Sequence, residues 1–246
     1  MTAAAELGDS ATAALLARRP VALLPLGALE SHGDHLPAGT DSILAERLTE
    51  ALERAVPDLP VWRLPLVPYG QVWSLEHAPG SLGIGGETLV AVLTDIARGA
   101  AAKGCAGLAV VNAHLGNAPY VREVQRRMKE QGFPVADLFY PGAGPATDRL
   151  REAPVARPGY MHACEIETSY MLHLAPDKVR MDLASPNYPA FPPEFGLLPL
   201  RWTEFTDSPV LGDPTRATAK KGAAILADVI AAMAAILRLI HAGRAR

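Results

Sequence analysis

Val21-Ala22-Leu23-Leu24-Pro25-Leu26 is a short apolar run bounded by Pro20 and Gly27. It is apolar at every position rather than at alternate ones. That pattern predicts a strand buried on both faces, the first of a parallel sheet. The chain behind it changes character at once: Leu29–Asp41 holds two histidines, two glycines and three acidic residues in thirteen positions. It reads as a loop of unusual chemistry. The same succession recurs at Leu108–Val111, a second short buried strand, with Asn112–Asn117 and its His114 directly behind.

Working outward from these two strands, the connections read as helices. Ser42 opens one with Leu44, Leu48, Leu52 and Val56 on a single face, and Pro57 closes it. Glu87 starts another, with Leu89, Val92, Leu93, Ile96 and Ala100 on one side and Gly104 as its stop. Val121, Val124 and Met128 mark a third, ending at Gly132. Val61–Val67 reads as a strand that Pro65 confines to an edge or an irregular element. Phe133–Tyr140 is a fourth strand, and Ala11–Arg19 a short leading helix. Strands alternating with helices predict the α/β class, with helices over a mostly parallel sheet. Further on, Pro141–Pro158 reads as polar surface, Met161–Leu174 as helical, and Gly222–Ile240 as a helix with a core-facing stripe. Asp182–Asp213 is rich in proline and aromatics and reads as a lid or a subunit contact. No repeat and no clean linker divides the chain, so residues 1–246 are expected to form a single domain.

Composition removes several function classes. Hydrophobic residues make up 49% and charged residues 20%, which excludes wholesale disorder. The formal net charge of −3 gives no basic surface for nucleic acid. No run of 18 uncharged apolar residues predicts a membrane span, and no secretory leader is read at the N-terminus. Cys105 and Cys164 are not a disulfide framework, and a cytoplasmic location is expected. HExxH, CxxC, GxxxxGK[ST] and GxSxG are all missing, so zincin, zinc-ribbon, P-loop and serine-hydrolase sites are set aside.

What remains is carboxylate and imidazole in three clusters. Glu30, His32, His35 and Asp41 lie in the first loop. In an extended segment Glu30 and His32 point to one side, as metal ligands would. Asp41 stands where the next helix begins, so it either bridges ions or caps the helix. Asn112, His114 and Asn117 form the second cluster, behind a strand, where open α/β sheets place their sites. His162, Glu165 and Glu167 form the third. A helix through all three groups His162 with Glu165; a chain still extended at His162 lets Glu167 converge with it instead. Spacing does not choose.

These clusters resemble the creatininase family. The resemblance rests on PLGALESHGDHLPAGTD (Pro25–Asp41), EHAPGS (Glu76–Ser81), VNAHLGN (Val111–Asn117) and HACEIETS (His162–Ser169). It implies a three-layer α/β/α subunit, commonly a homohexamer, with two divalent ions (zinc, manganese or iron) at the carboxyl ends of the strands. It also implies hydrolysis of cyclic or linear amides. By the same resemblance Glu30, His32, Asp41 and His114 are metal ligands, with Asp41 bridging. Creatininase has a glutamate in the loop behind the histidine matching His114; Leu115-Gly116-Asn117 offers none, so Glu167 is expected to complete the metal set, with Glu165 the runner-up. His162 matches a catalytic histidine that moves a proton, and Glu165 is a candidate beside it. His35, Trp73 and His77 are candidate substrate contacts. Leu115 stands where relatives often have glycine, which together with the missing carboxylate argues against creatinine itself. The expected substrate is a small amide or a short peptide; the alternatives are peptide processing of the mycofactocin type, or a non-catalytic metal-stabilised binding protein.

Overall fold

The computed structural model describes residues 3–244. Its elements run α1 (Asp9–Leu16), β1 (Val21–Leu26), α2 (Thr40–Ala55), β2 (Val61–Arg63), α3 (Gly86–Ala102), β3 (Gly107–Asn112), α4 (Ala118–Lys129), β4 (Val135–Asp137), α5 (Ala143–Leu150), α6 (Glu165–Leu174) and α7 (Ala219–His241). The four strands form one sheet in the order β2-β1-β3-β4. All three pairings are parallel.

Each strand residue chooses a layer by its parity. Val21, Leu23, Ala109 and Val111 face one core, built with Leu44, Leu48 and Leu52 of α2 and with Ile225, Val229 and Met233 of α7. Ala22, Leu24, Leu26, Leu108 and Val110 face the other, built with Leu89 and Leu93 of α3 and with Val121, Val124 and Met128 of α4. The result is three layers, helix on sheet on helix. A fully buried leucine such as Leu23 or Leu48 stabilises the fold by about 1.5–3 kcal/mol relative to exposure.

Topology fixes where the chemistry goes. Leu26 stands opposite Asn112 at the carboxyl ends of β1 and β3. The chain leaving β1 crosses to β2 on one side, while β3 passes to β4 on the other. The loops after β1 and β3 therefore open away from each other and leave a crevice between them.

Several elements differ from expectation for identifiable reasons. The second strand stops at Arg63; beyond Pro65 only a single bridge, Leu26 to Val67, resumes the pairing. It lies on the edge, as Pro65 demands. The fourth shrinks to Val135–Asp137. The segment 141–158 contains α5, whose Ala146 and Thr147 are buried. Most consequentially, α6 begins only at Glu165, because Ala163 takes a left-handed φ of 48° that no helix continues. Among residues 182–213, Phe195, Trp202 and Leu211 form a third apolar cluster with Leu75, so this segment lies over the loop after β2. By length and composition alone α7 can cross a membrane. Nine of its residues are buried here, Ile225, Val229, Met233 and Leu237 among them.

The α6–α7 crossing allows no side chain at Gly222, where a Cβ would overlap the carbonyl of Ser169. Gly222→Ala is expected to cost on the order of 2–3 kcal/mol, lowering Tm by roughly 5–10 °C. In contrast Gly99→Ala in α3 meets no atom and should raise stability by about 0.5–1 kcal/mol. Thermal denaturation of the two variants checks the pair.

Candidate metal centre

The loop after β1 folds back on itself through a bond from the Glu30 amide to the Ala38 carbonyl. Asp41 lies in the first turn of α2, where the helix dipole favours a carboxylate. It does not cap that helix: the N-cap is Gly39, and no side chain caps it. His114 follows β3 in extended backbone. His162 is extended too, bridged to Leu211, and the turn at Ala163 then reverses the chain into α6. Glu167 reaches back from the first turn of α6 to accept the Ala163 amide.

These five side chains and that of His32 meet in one place. His114 Nδ1 lies 3.4 Å from Glu30 Oε2 and 3.2 Å from Asp41 Oδ2. His32 Nε2 lies 3.5 Å from Asp41 Oδ1 and 3.7 Å from Glu167 Oε2. His162 Nδ1 lies 3.5 Å from Glu30 Oε2. The three carboxylates are only 1–3% exposed. Ligand atoms of Glu30, Asp41 and His114 lie within 4.8 Å of one another, as do those of His32, Asp41 and Glu167, and those of Glu30, His32 and His162. The first two groups share Asp41, the arrangement of two cation positions joined by one carboxylate.

All three imidazoles are held from behind by a backbone carbonyl. His32 Nδ1 donates to Glu30 O at 2.9 Å, His114 Nε2 to Gln71 O at 2.8 Å, and His162 Nε2 to Ser31 O at 2.8 Å. A carbonyl only accepts, so each of these nitrogens carries the hydrogen. The opposite nitrogen then turns a lone pair toward the carboxylates, as in metal-bound histidines.

The donor set fits metal ions. Once His114 Nε2–H is committed to Gln71, its Nδ1 and Asp41 Oδ2 are two acceptors at 3.2 Å. His32 Nε2 and Asp41 Oδ2 are buried without a hydrogen-bond partner. Such pairs persist only with a cation between or beside them. Without metal that cation is a proton. Burial works against charge on His32, but Asp41, Glu167 and Glu30 raise its pKa to about 10. Burial likewise opposes charge on His114, which Glu30 and Asp41 raise to about 9. Burial raises Glu30, and raises Glu167 to about 7. Asp41 stays well below the ordinary carboxylate range, against its burial, through His32 and His114. Burial, with His32 beside it, holds His162 well below the usual histidine value. Glu30, His32, Asp41, His114 and Glu167 form a candidate two-metal site with nitrogen and oxygen donors suited to zinc, manganese or iron.

A cavity of about 320 Å³ opens above the cluster. Glu30, Asp41, His114, His162 and Glu167 lie at its floor; Gln71, Ser74, Leu115, Tyr160, Met161 and Trp202 are among its walls. Other expected site residues lie elsewhere. Glu165, proposed beside His162, points away: it accepts the Glu152 and Ala153 amides and pairs with Lys221 at 2.6 Å. His35 is buried against Thr168, its Nε2 3.0 Å from Oγ1. His77 is exposed beside Glu76. Trp73 lies under the guanidinium of Arg201, 4.8 Å from the ring centre, while its neighbours Val72 and Ser74 reach the cavity. Trp202 is one of the wall residues, with Gln71, Ser74, Tyr160 and Met161, that sequence reasoning missed; its ring meets His162 edge-on at 5.3 Å. An aromatic in an aperiodic stretch offers no pattern from which to find it.

Buried paired carboxylates and imidazoles at the switch point of a parallel sheet define a metal-dependent hydrolase. A family model described as "Creatininase: Creatinine amidohydrolase" matches residues 5–237. Over 235 residues the chain is 34% identical to a mycofactocin precursor peptide peptidase of Mycobacterium ulcerans (strain Agy99), covering 92% of this chain and 87% of that protein. To the creatinine amidohydrolase of Pseudomonas putida it is 27% identical over 239 residues, covering 89% and 88%. A crystal structure of creatinine amidohydrolase (creatininase) superposes with a TM-score of 0.83 at 26% identity, covering 96% of both chains. The chain belongs to the creatininase family, whose fold and metal-binding clusters are those of a hydrolase of carbon–nitrogen bonds.

Two predictions come from this geometry. Glu167→Gln should lose one of two bound ions, whereas Glu165→Gln should keep both; elemental analysis of the variants decides. Metal uptake near pH 7 should expel protons from His32 and His114, which carry them there in the ion-free protein. With Glu167 raised to about 7 and partly protonated as well, at least about two protons per ion pair are expected, with affinity falling as pH falls. Calorimetry in buffers of different ionisation enthalpy measures the number.

Proposed function

We propose that this chain is a metal-dependent peptidase that cleaves an amide bond in a short precursor peptide, as the mycofactocin relatives are named for doing. The observation that carries the reading is the ordering of relatives. Identity is 34% to such a peptidase against 27% to a creatinine amidohydrolase. Two features of the site support it. The loop Leu115-Gly116-Asn117 has no carboxylate, and Leu115 instead puts an apolar side chain at the cavity wall.

Glu30, Asp41 and His114 would hold one ion and His32, Asp41 and Glu167 the other. When bound, the ions activate water and polarise the amide carbonyl. His162 supplies proton transfer. Its Nε2–H is committed to Ser31, so Nδ1 faces the cavity as a base. Nδ1 takes up the proton released as the carbonyl carbon gains oxygen, then returns it to the departing nitrogen. Trp202 packs edge-on against this imidazole and restricts its tilt. The walls around Tyr160, Met161 and Trp202 exclude water from the reacting group. A cytoplasmic homo-oligomer, a hexamer by family resemblance, completes the proposal; light scattering reads its mass.

The test compares short peptides, formamides and creatinine at matched metal loading, with a chelated control. Peptide turnover should exceed creatinine turnover by at least roughly tenfold, about 1.4 kcal/mol of transition-state preference. Creatinine leading by that margin would reverse the proposal. His162→Ala should keep both ions and lose about 10²–10⁴-fold in kcat.

A further inference from the structure

Ser81 closes the EHAPGS stretch, 50 positions from the residue it binds, and takes no place in the metal cluster or the cavity wall. Its Oγ accepts the amide hydrogen of Ser31 at 2.9 Å. That amide belongs to the peptide unit whose carbonyl is Glu30 O, and Glu30 O accepts Nδ1–H of His32 at 2.9 Å. The following carbonyl, Ser31 O, accepts Nε2–H of His162 at 2.8 Å. One serine hydroxyl therefore anchors the extended segment whose two consecutive carbonyls set the tautomers of His32 and His162.

We infer that Ser81 is a positioning residue: it fixes the Glu30–Ser31 peptide plane so that His32 presents Nε2 to the metal pair, and steadies the following carbonyl so that His162 turns Nδ1 to the cavity. The inference rests on the metal pair and not on the peptide substrate. The physical argument is one of freedom. Glu30 O and Ser31 O lie in a loop, outside any strand ladder, so nothing periodic holds their orientation. The Leu82 amide bonds the Leu29 carbonyl, and the Glu30 amide bonds the Ala38 carbonyl. Those bonds tie the flanks of the loop. The Ser31 N–H would otherwise have no partner in the same peptide unit as the His32 acceptor. Without the hydroxyl that plane is free to rotate, and His32 loses the directed carbonyl that commits hydrogen to Nδ1. The backing of His114 is separate, through Gln71 O and the side chain of Asn117, whose Oδ1 accepts the Gln71 amide. The effect of Ser81 should therefore fall on one cation position and spare the other.

Replacing Ser81 with valine or threonine separates shape from hydrogen bonding, since the two differ mainly in the acceptor oxygen. Competition titration of the ion-free protein with zinc, alongside its Tm, is the measurement. Wild type and Ser81→Thr should bind two ions with similar affinities. Ser81→Val should keep one ion at its wild-type affinity and bind the other at least roughly tenfold more weakly, the size expected when the partner behind a metal-binding histidine is lost. In a Glu167→Gln background, which removes the His32 position, Ser81→Val should change the remaining affinity by less than twofold. Equal affinities for the valine and threonine variants would overturn the inference, as would equal weakening of both positions. Wild-type protein that takes up no zinc would sink the metal pair itself, and this inference with it; that result is distinct from two-ion protein with no valine–threonine difference.

Discussion

Three carboxylates, Glu30, Asp41 and Glu167, share one space from which water is nearly excluded. Like charges at such distances in a poor dielectric repel strongly, and burial alone drives carboxylates toward neutrality. The structure answers with three imidazoles, each turned by a backbone carbonyl behind it. Asp41, nearest to two of them, stays ionised, while Glu30 and Glu167, with less compensation, are raised. A divalent ion at each shared position would replace a proton and satisfy more lone pairs at once. Metal binding and the packing of this region are therefore one problem.

The sheet makes that concentration of charge possible. Leu26 and Asn112 sit side by side, so two loops of different sequence origin begin at the same height. The apolar strands beneath them are buried on both faces and need no polar partner. Their carboxyl ends can then carry polar groups without disturbing either core. The bonds from Asn117 to Gly27 O and to the Gln71 amide lock the ends of β1 and β3 to the loop after β2. Glu165 does comparable work at the other side. It holds Lys221, the Glu152 amide and the Ala153 amide, and so anchors the start of α6 from which Glu167 reaches inward.

Legibility followed regularity. The run Val21–Leu26 and the helical spacings around it were enough for the α/β class, while the layer each helix occupies came only with the structure. Glu30, His32, Asp41 and His114 stood out because donors of metals crowd behind two strands. The choice between Glu165 and Glu167 was not readable from spacing, because it turns on one backbone angle. With Ala163 left-handed, His162 precedes the helix and the i,i+3 relation to Glu165 disappears. No propensity rule expects an alanine there. His35 was expected as a substrate contact, but its Nε2 is engaged by Thr168. Trp73 was in the right loop on the wrong side of it, and Trp202 came from a stretch with no period. A residue placed by the third apolar cluster, not by its own element, leaves no local trace.

The floor and the walls of the cavity are made by different means. The floor residues follow strand ends or helix starts, and His114, His162 and Glu167 among them are fixed by bonds to backbone. The walls come from irregular segments held by aromatic packing: Tyr160 against Phe195 and Trp202, and Phe195 against Phe191 and Phe205. Packing of that kind tolerates exchange of one apolar group for another better than a hydrogen-bonded cluster tolerates loss of a partner. Amide cleavage is thus assigned to the part that cannot vary without losing its charge balance. Substrate choice falls to the part that can. The two touch where Trp202 meets the edge of His162. A change in the wall is felt there, since any shift of the indole alters the tilt of the imidazole proposed to move a proton.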